Sequence, residues 1–134
     1  MKLFEAVNVS VEFDSATNLM VHRWSEKTAS MSFQTFKEEM LQIKEAVKNH
    51  KPASIMVQAQ KMGFITSPEV QEWIDSEISP SFLENGVTKF AYIMPTDIFQ
   101  QVAIEQMMDE KNSKNFGTRF FDDEEEGYKW LVSN

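Results

Sequence analysis

Apolar and polar positions recur along this chain with two different periods. In Val7-Asn8-Val9-Ser10-Val11-Glu12-Phe13 every second residue is apolar, the period of a half-buried strand. Asp14 to Asn18 is a turn cluster and Leu19 to Trp24 a second strand-like run, so the two together predict a hairpin. The period then lengthens. Phe33, Phe36, Met40, Ile43 and Val47 are spaced by three and four, the stripe of an amphipathic helix reaching about His50. Ser30 and Ser32 are candidate caps for it. Glu38 and Glu39 near its start, and Lys48, His50 and Lys51 near its end, suit the helix dipole. Pro52 stops it.

The pattern continues as strand, helix, strand, helix. Ser54 to Ala59 is a short apolar strand. Ser67-Pro68-Glu69 supplies a cap, a proline at the first helical position and an acid in the first turn. Val70, Trp73, Ile74 and Ile78 carry that helix on, Pro80 must break or kink it, and Asn85-Gly86 ends it. Lys89 to Met94 is a buried strand closed by Pro95. Thr96 or Asp97 caps a third helix bearing Ile98, Phe99, Val102, Ala103 and Met107. Thr118 to Phe121 is the last strand, and Asp122 or Asp123 caps a final helix with Tyr128, Trp130 and Leu131. The order β-β-α-β-α-β-α-β-α predicts one α/β domain over residues 1–134. Its sheet is expected to be five-stranded and mostly parallel, with an antiparallel first strand and helices on both faces. Trp24, Trp73 and Trp130 all fall on apolar faces and are expected to be largely buried.

Composition narrows the classes of function. The net charge of −8 comes from 13 basic and 21 acidic residues, and such a surface repels nucleic acid unless a basic patch is segregated. Lys44 and Lys48 are interleaved with Glu45, so no such patch forms and no nucleic-acid partner is expected. The chain has no cysteine, which excludes disulfides and thiolate chemistry and fits a reducing cytoplasm. Glu5 interrupts the first apolar run, and no stretch approaches the roughly 20 apolar residues of a membrane span. A cytoplasmic protein is the expectation. The 11 Phe and 9 Met are ample core material, since Phe fills volume and Met adapts to irregular gaps.

Several segments carry a resemblance beyond their periodicity. His22-Arg23-Trp24 ends the second strand and Ser67-Pro68-Glu69-Val70-Gln71-Glu72-Trp73 opens the second helix. Gly86-Val87-Thr88-Lys89-Phe90-Ala91 leads into the fourth strand, and Phe121-Asp122 precedes Tyr128-Lys129-Trp130-Leu131. In this order they resemble the STAS domains of anti-sigma-factor antagonists and the related lipid-binding CRAL-TRIO fold. They look closest to the uncharacterised bacterial STAS-like proteins. The resemblance spans nearly the whole chain and implies a fold and a binding role, with no established reaction. In one place the chain departs from it. Antagonist-type domains open the second helix with an Asp-Ser pair whose serine is phosphorylated. The matching stretch here is Phe64-Ile65-Thr66-Ser67-Pro68, so no phosphorylation of Thr66 or Ser67 is implied.

In open α/β sheets ligands bind beyond the carboxyl ends of the strands. Trp24, Ser25, Gln58, Gln60, Lys61, Thr66, Ser67, Thr96, Asp97 and Asp122 fall there. Gln60, Lys61, Thr66, Ser67, Thr96 and Asp97 are the candidate ligand-binding residues, and a small polar or anionic group is what they would hold. The competing reading makes Ser67, Asp97 and Asp122 plain helix caps. The only histidines are His22 and His50, both read as structural. No nucleophile elbow, zinc-protease motif or phosphate loop is present. Asp122 to Glu126 reads as dipole compensation at a helix start, and Glu69, Glu72, Asp75 and Glu77 as exposed helix acids. No catalytic residue, metal or cofactor is expected. Met107 and Met108, with Phe99 and Ile104, are the candidates for a partly exposed apolar patch.

The sequence therefore points to a non-catalytic regulatory or adaptor module that binds a protein partner, including a second copy of itself as a homodimer. The alternative is a carrier of a small apolar or lipid-like ligand. An apolar cavity would favour the carrier and a flat apolar patch the adaptor.

Overall fold

The hairpin forms where the alternation places it. In the computed structural model, which describes residues 1–133, β2 (Val9–Asp14) pairs antiparallel with β3 (Leu19–Trp24). Ahead of it lies a strand the sequence reading missed, β1 (Lys2–Glu5), antiparallel to β2. Its four residues offer only Leu3 and Phe4 as apolar signal, too few for a period to register. The sheet is thus six-stranded, not five, in the order β1-β2-β3-β4-β5-β6. β4 (Ser54–Gln58), β5 (Lys89–Ile93) and β6 (Gly117–Phe121) follow β3 in parallel. The strand expected to be antiparallel, Val7 to Phe13, is β2 once β1 is counted, and it alone runs against the other five.

The helices sit close to their expected places. α1 (Phe33–His50) is capped by Ser32, whose hydroxyl accepts from the Thr35 amide; Ser30 lies in a short 3-10 turn before it. The second helical path has three parts: α2 (Pro68–Trp73), a π-turn (Ile74–Ile78) and α3 (Ser79–Glu84). Pro80 is the reason. A proline inside a helix lacks a donor and crowds the carbonyl four residues back. The wider turn, in which the Ser79 amide donates to the Ile74 carbonyl, comes just before it. α4 (Ile98–Met108) is capped by Asp97 rather than Thr96, and α5 (Glu124–Val132) by Asp123 rather than Asp122. Among the described residues no helix is long and apolar enough to cross a membrane.

Sequential strand order with right-handed crossovers puts α1 to α4 on one face. That face carries the main core: Val11, Met20, Ile55, Val57, Phe90 and Tyr92 from the sheet against Phe36, Ile43, Val47, Ile78, Phe82 and Ile104. The opposite face is covered over β4, β5 and β6 and the start of β3, where Leu131 of α5 packs in one cluster with Leu19, Met56, Ala91 and Ile93. α5 lies close because residue 127 is glycine; a Cβ there would stand 2.7 Å from the Ile93 Cδ1. The rest of this face is polar. Arg23 Nε donates to Glu12 at 2.9 Å and its Nη1 to Gln58 at 2.6 Å. Of the tryptophans, Trp24 is buried and Trp73 and Trp130 are half-buried.

Candidate functional site

β4 and β5 both deliver their carboxyl ends to the same edge, and the loops that follow frame a cavity. Its floor is a row of side chains across the sheet. His22 of β3 is aligned with Val57 of β4, and Val57 with Tyr92 of β5. Because side chains alternate along a strand, all three face α1 to α4. Phe36 and Met40 of α1 form one wall, Ile74, Ile78 and Phe82 another, and Ala103, Ile104 and Met107 of α4 the roof. The β4–α2 loop closes the edge with Met62, Phe64, Ile65 and Thr66. Ile65 is exposed while lining the cavity, so solvent reaches it beside this loop. The interior offers about 60 Å³. An apolar cavity of about 150 Å³ holds benzene, so on the order of two or three heavy atoms fit in this one. A full-length lipid does not.

Two polar atoms in this apolar space lack partners. His22 is 3% exposed and Thr66 5%. His22 Nε2 and Thr66 Oγ1 have no hydrogen bond to any described residue. Leaving a buried polar atom so costs about 1–3 kcal/mol; both residues line the same cavity, with these two atoms sealed from it. Burial lowers the His22 pKa from its ordinary 6.5 to about 3, so the ring is neutral near neutral pH. Burial likewise pushes the Tyr92 phenol up. Ser79 also lines the cavity, but its hydroxyl bonds to Ser113 Oγ at 2.8 Å.

The edge is held by bonds the sequence did not announce. Gln71, buried, donates its amide to the Thr66 carbonyl at 2.8 Å and to the Ala103 carbonyl of α4 at 3.3 Å. One side chain thus ties the loop to the roof. The Gly63 amide donates to Thr28 Oγ1 at 2.8 Å, and a Cβ at Gly63 would stand 2.8 Å from the Ala29 Cβ; only glycine lets the loop pass so close.

The structure divides the sequence-derived candidates. Thr66 lies in the cavity. Gln60 and Lys61 line a separate, open groove with Arg23, Ser25, Lys27 and Asn8. Ser67 caps α2, its hydroxyl accepting from the Val70 amide at 3.4 Å, and Asp97 caps α4 through the Phe99 and Gln100 amides. Thr96 is exposed. Asp75 is buried, against the expectation of an exposed helix acid, and accepts from the Asn112 and Ser113 amides. The apolar patch also moves. Ile104, Met107 and Met108 are buried, whereas Ile98, Phe99 and Val102 are exposed. α4 has apolar residues on all sides, so the sequence alone leaves its inward face undecided. His22 was legible as an inward position of β3, but its lack of a partner depends on Val11 and Val57 beside it. Asp122 to Glu126 are exposed, with Glu124 3.7 Å from Arg23 and Glu125 3.4 Å from Lys129.

Compared with protein-family models, curated proteins and solved structures, the chain matched none.

Proposed function

We propose that this chain is a non-catalytic binding module of STAS-like, CRAL-TRIO-related fold, and that its ligand is a small, mostly apolar molecule held beneath α4. The observation that carries this is the cavity itself: apolar walls, a mouth at the carboxyl edge of the parallel strands, and buried polar atoms that no protein group satisfies. His22 supports binding over catalysis. A catalytic imidazole is oriented by a partner and poised near the working pH, whereas this one is neutral and its Nε2 has no partner. The size of the cavity favours a molecule of a few heavy atoms over a ring or a lipid.

Methionine methyl resonances test the reading. Met40, Met62, Met107 and Met108 line the cavity, while Met56 lies on the opposite face. Titration with uncharged compounds of about two to four heavy atoms should shift the first four saturably and leave Met56 still. A panel in which no compound moves them, or in which all methionines drift together, overturns it.

A second reading, a regulatory or adaptor module, is favoured by the exposed Ile98, Phe99 and Val102 on α4. The occupant assigned to that face is a second copy of the chain, since twofold dimers are the commonest assembly. Sedimentation at high micromolar concentration should then show a dimer that Phe99→Glu dissociates. A monomer throughout removes this reading.

A further inference from the structure

The open groove at the same edge of the sheet, about 500 Å³ in volume, differs from the cavity in its chemistry. Arg23 of β3 and Gln58 of β4 are aligned neighbours. Each follows a residue that faces the cavity, so each faces the other way. Three cations line the groove: Arg23, Lys27 on the 3-10 turn after β3, and Lys61 on the β4–α2 loop. Contacts between these segments draw them together. Arg23 Nη1 donates to Gln58 at 2.6 Å, and the Gly63 amide donates to Thr28 Oγ1 at 2.8 Å. Among the described residues Glu5 is the one carboxylate in the lining, and Lys2 Nζ already stands 2.6 Å from it. The charge of Arg23 is offset by Glu12 at 2.9 Å and Glu124 at 3.7 Å. Lys27 and Lys61 have no carboxylate at ion-pair distance among the described residues. Hydrogen-bond donors are in excess as well. A guanidinium has five N–H groups; Glu12 and Gln58 engage two of those on Arg23 and fix its plane. The Met62 amide donates to the Ala59 carbonyl, whereas the Gln60 and Lys61 amides have no hydrogen bond to any described residue.

We infer that this groove binds a small phosphate monoester, with the phosphate among Lys27, Lys61 and the free N–H groups of Arg23. A phosphate monoester carries close to two negative charges at neutral pH and presents three strong acceptor oxygens. Two uncompensated lysines and an arginine with donors to spare match both properties. A lone carboxylate meets only half of the charge. Ala6, Val7 and Val9 line the same groove and give the organic part of the ester an apolar rest. This site is separate from the cavity beneath α4, and neither reading depends on the other.

Phenyl phosphate, benzoate and inorganic phosphate provide the test, followed at low salt by backbone amide resonances and by the Arg23 Nε resonance. Phenyl phosphate should move the Lys27, Gln60 and Lys61 amides and the Arg23 Nε saturably. It should bind roughly five- to tenfold more tightly than benzoate, the worth of a second charge and its hydrogen bonds, and more tightly than inorganic phosphate. Lys61→Ala should weaken phenyl phosphate by about two- to fivefold, the worth of one exposed charge, and Lys61→Arg should restore it. Lys111→Ala, outside the groove, should change nothing. The Met107 methyl in the cavity should stay still. Shifts that never saturate, or that spread equally over lysines elsewhere on the surface, overturn the inference. So does equal affinity for phenyl phosphate and benzoate, or an affinity that Lys61→Ala leaves unchanged. Inorganic phosphate binding as tightly as the ester overturns the choice of an ester. In each of these cases the cavity reading stands, because its own test rests on uncharged compounds and on the methionine methyls.

Discussion

Lowering the pH from 7 to 5 is expected to remove about 2 kcal/mol of stability through His22 alone. The ring titrates near 6.5 in the unfolded chain and near 3 in the folded one, because burial in β3 disfavours the charged form. Above 6.5 both states are neutral and the contribution is complete. Between 6.5 and 3 the unfolded chain binds a proton that the folded chain refuses, so acid favours unfolding by about 1.4 kcal/mol per pH unit. Below about 3 the loss levels off. Carboxylates titrate over part of the same range, so the result lies in a difference. Urea unfolding of the wild type and of His22→Gln should diverge in pH dependence by about one proton between pH 6.5 and 5. Parallel curves would show that His22 opens to water in the folded state, which would also remove it from the cavity floor.

Asp75→Ala is expected to cost about 3–5 kcal/mol. Asp75 stands on the π-turn and is 8% exposed. Its Oδ1 accepts from the Asn112 and Ser113 amides, each at 2.8 Å, and from Ser113 Oγ at 3.1 Å, while Asn112 Nδ2 donates to its carbonyl at 2.9 Å. It therefore acts as a cap for the segment between α4 and β6. Alanine strands at least the Ser113 amide, since Ser113 is fully buried, and it frees the Ser113–Ser79 pair at the cavity wall. Asp75→Asn keeps an acceptor and loses only the charge, and should cost about 1–2 kcal/mol. Urea midpoints at constant m measure both. A loss below about 1 kcal/mol for the alanine variant would mean that the 112–115 turn holds without this carboxylate.

Much of the architecture is readable from residues alone, for physical reasons that differ by element. The β2–β3 hairpin follows from strict alternation around a turn cluster, and α1 from a stripe closed by Ser32 and Pro52, because both signals are local. β1 escaped because two apolar residues set no period; it exists through pairing with β2. The π-turn was half legible. Pro80 announces a break, but where the chain absorbs it depends on the packing of Ile74 and Ile78 in the core. The face of α4 could not be read. A helix with Ile98, Phe99, Val102, Ile104, Met107 and Met108 has no polar side to point outward, and the position of α2 beside it decides which residues are covered.

The site divides along the same line. By itself the sequence determined that any ligand edge lies beyond β4 and β5, since strand–helix alternation fixes a parallel sheet whose carboxyl ends share one side. It also determined the cap Ser67 and narrowed two others to Ser30 or Ser32 and to Thr96 or Asp97, because capping is a matter of neighbours three residues apart. The tertiary structure decided that Gln60 and Lys61 belong to one groove and Thr66 to another, that Asp75 serves a distant turn, and that His22 lacks a partner. These are contacts between segments dozens of residues apart, set by strand register and helix docking, and no local period along the chain encodes them.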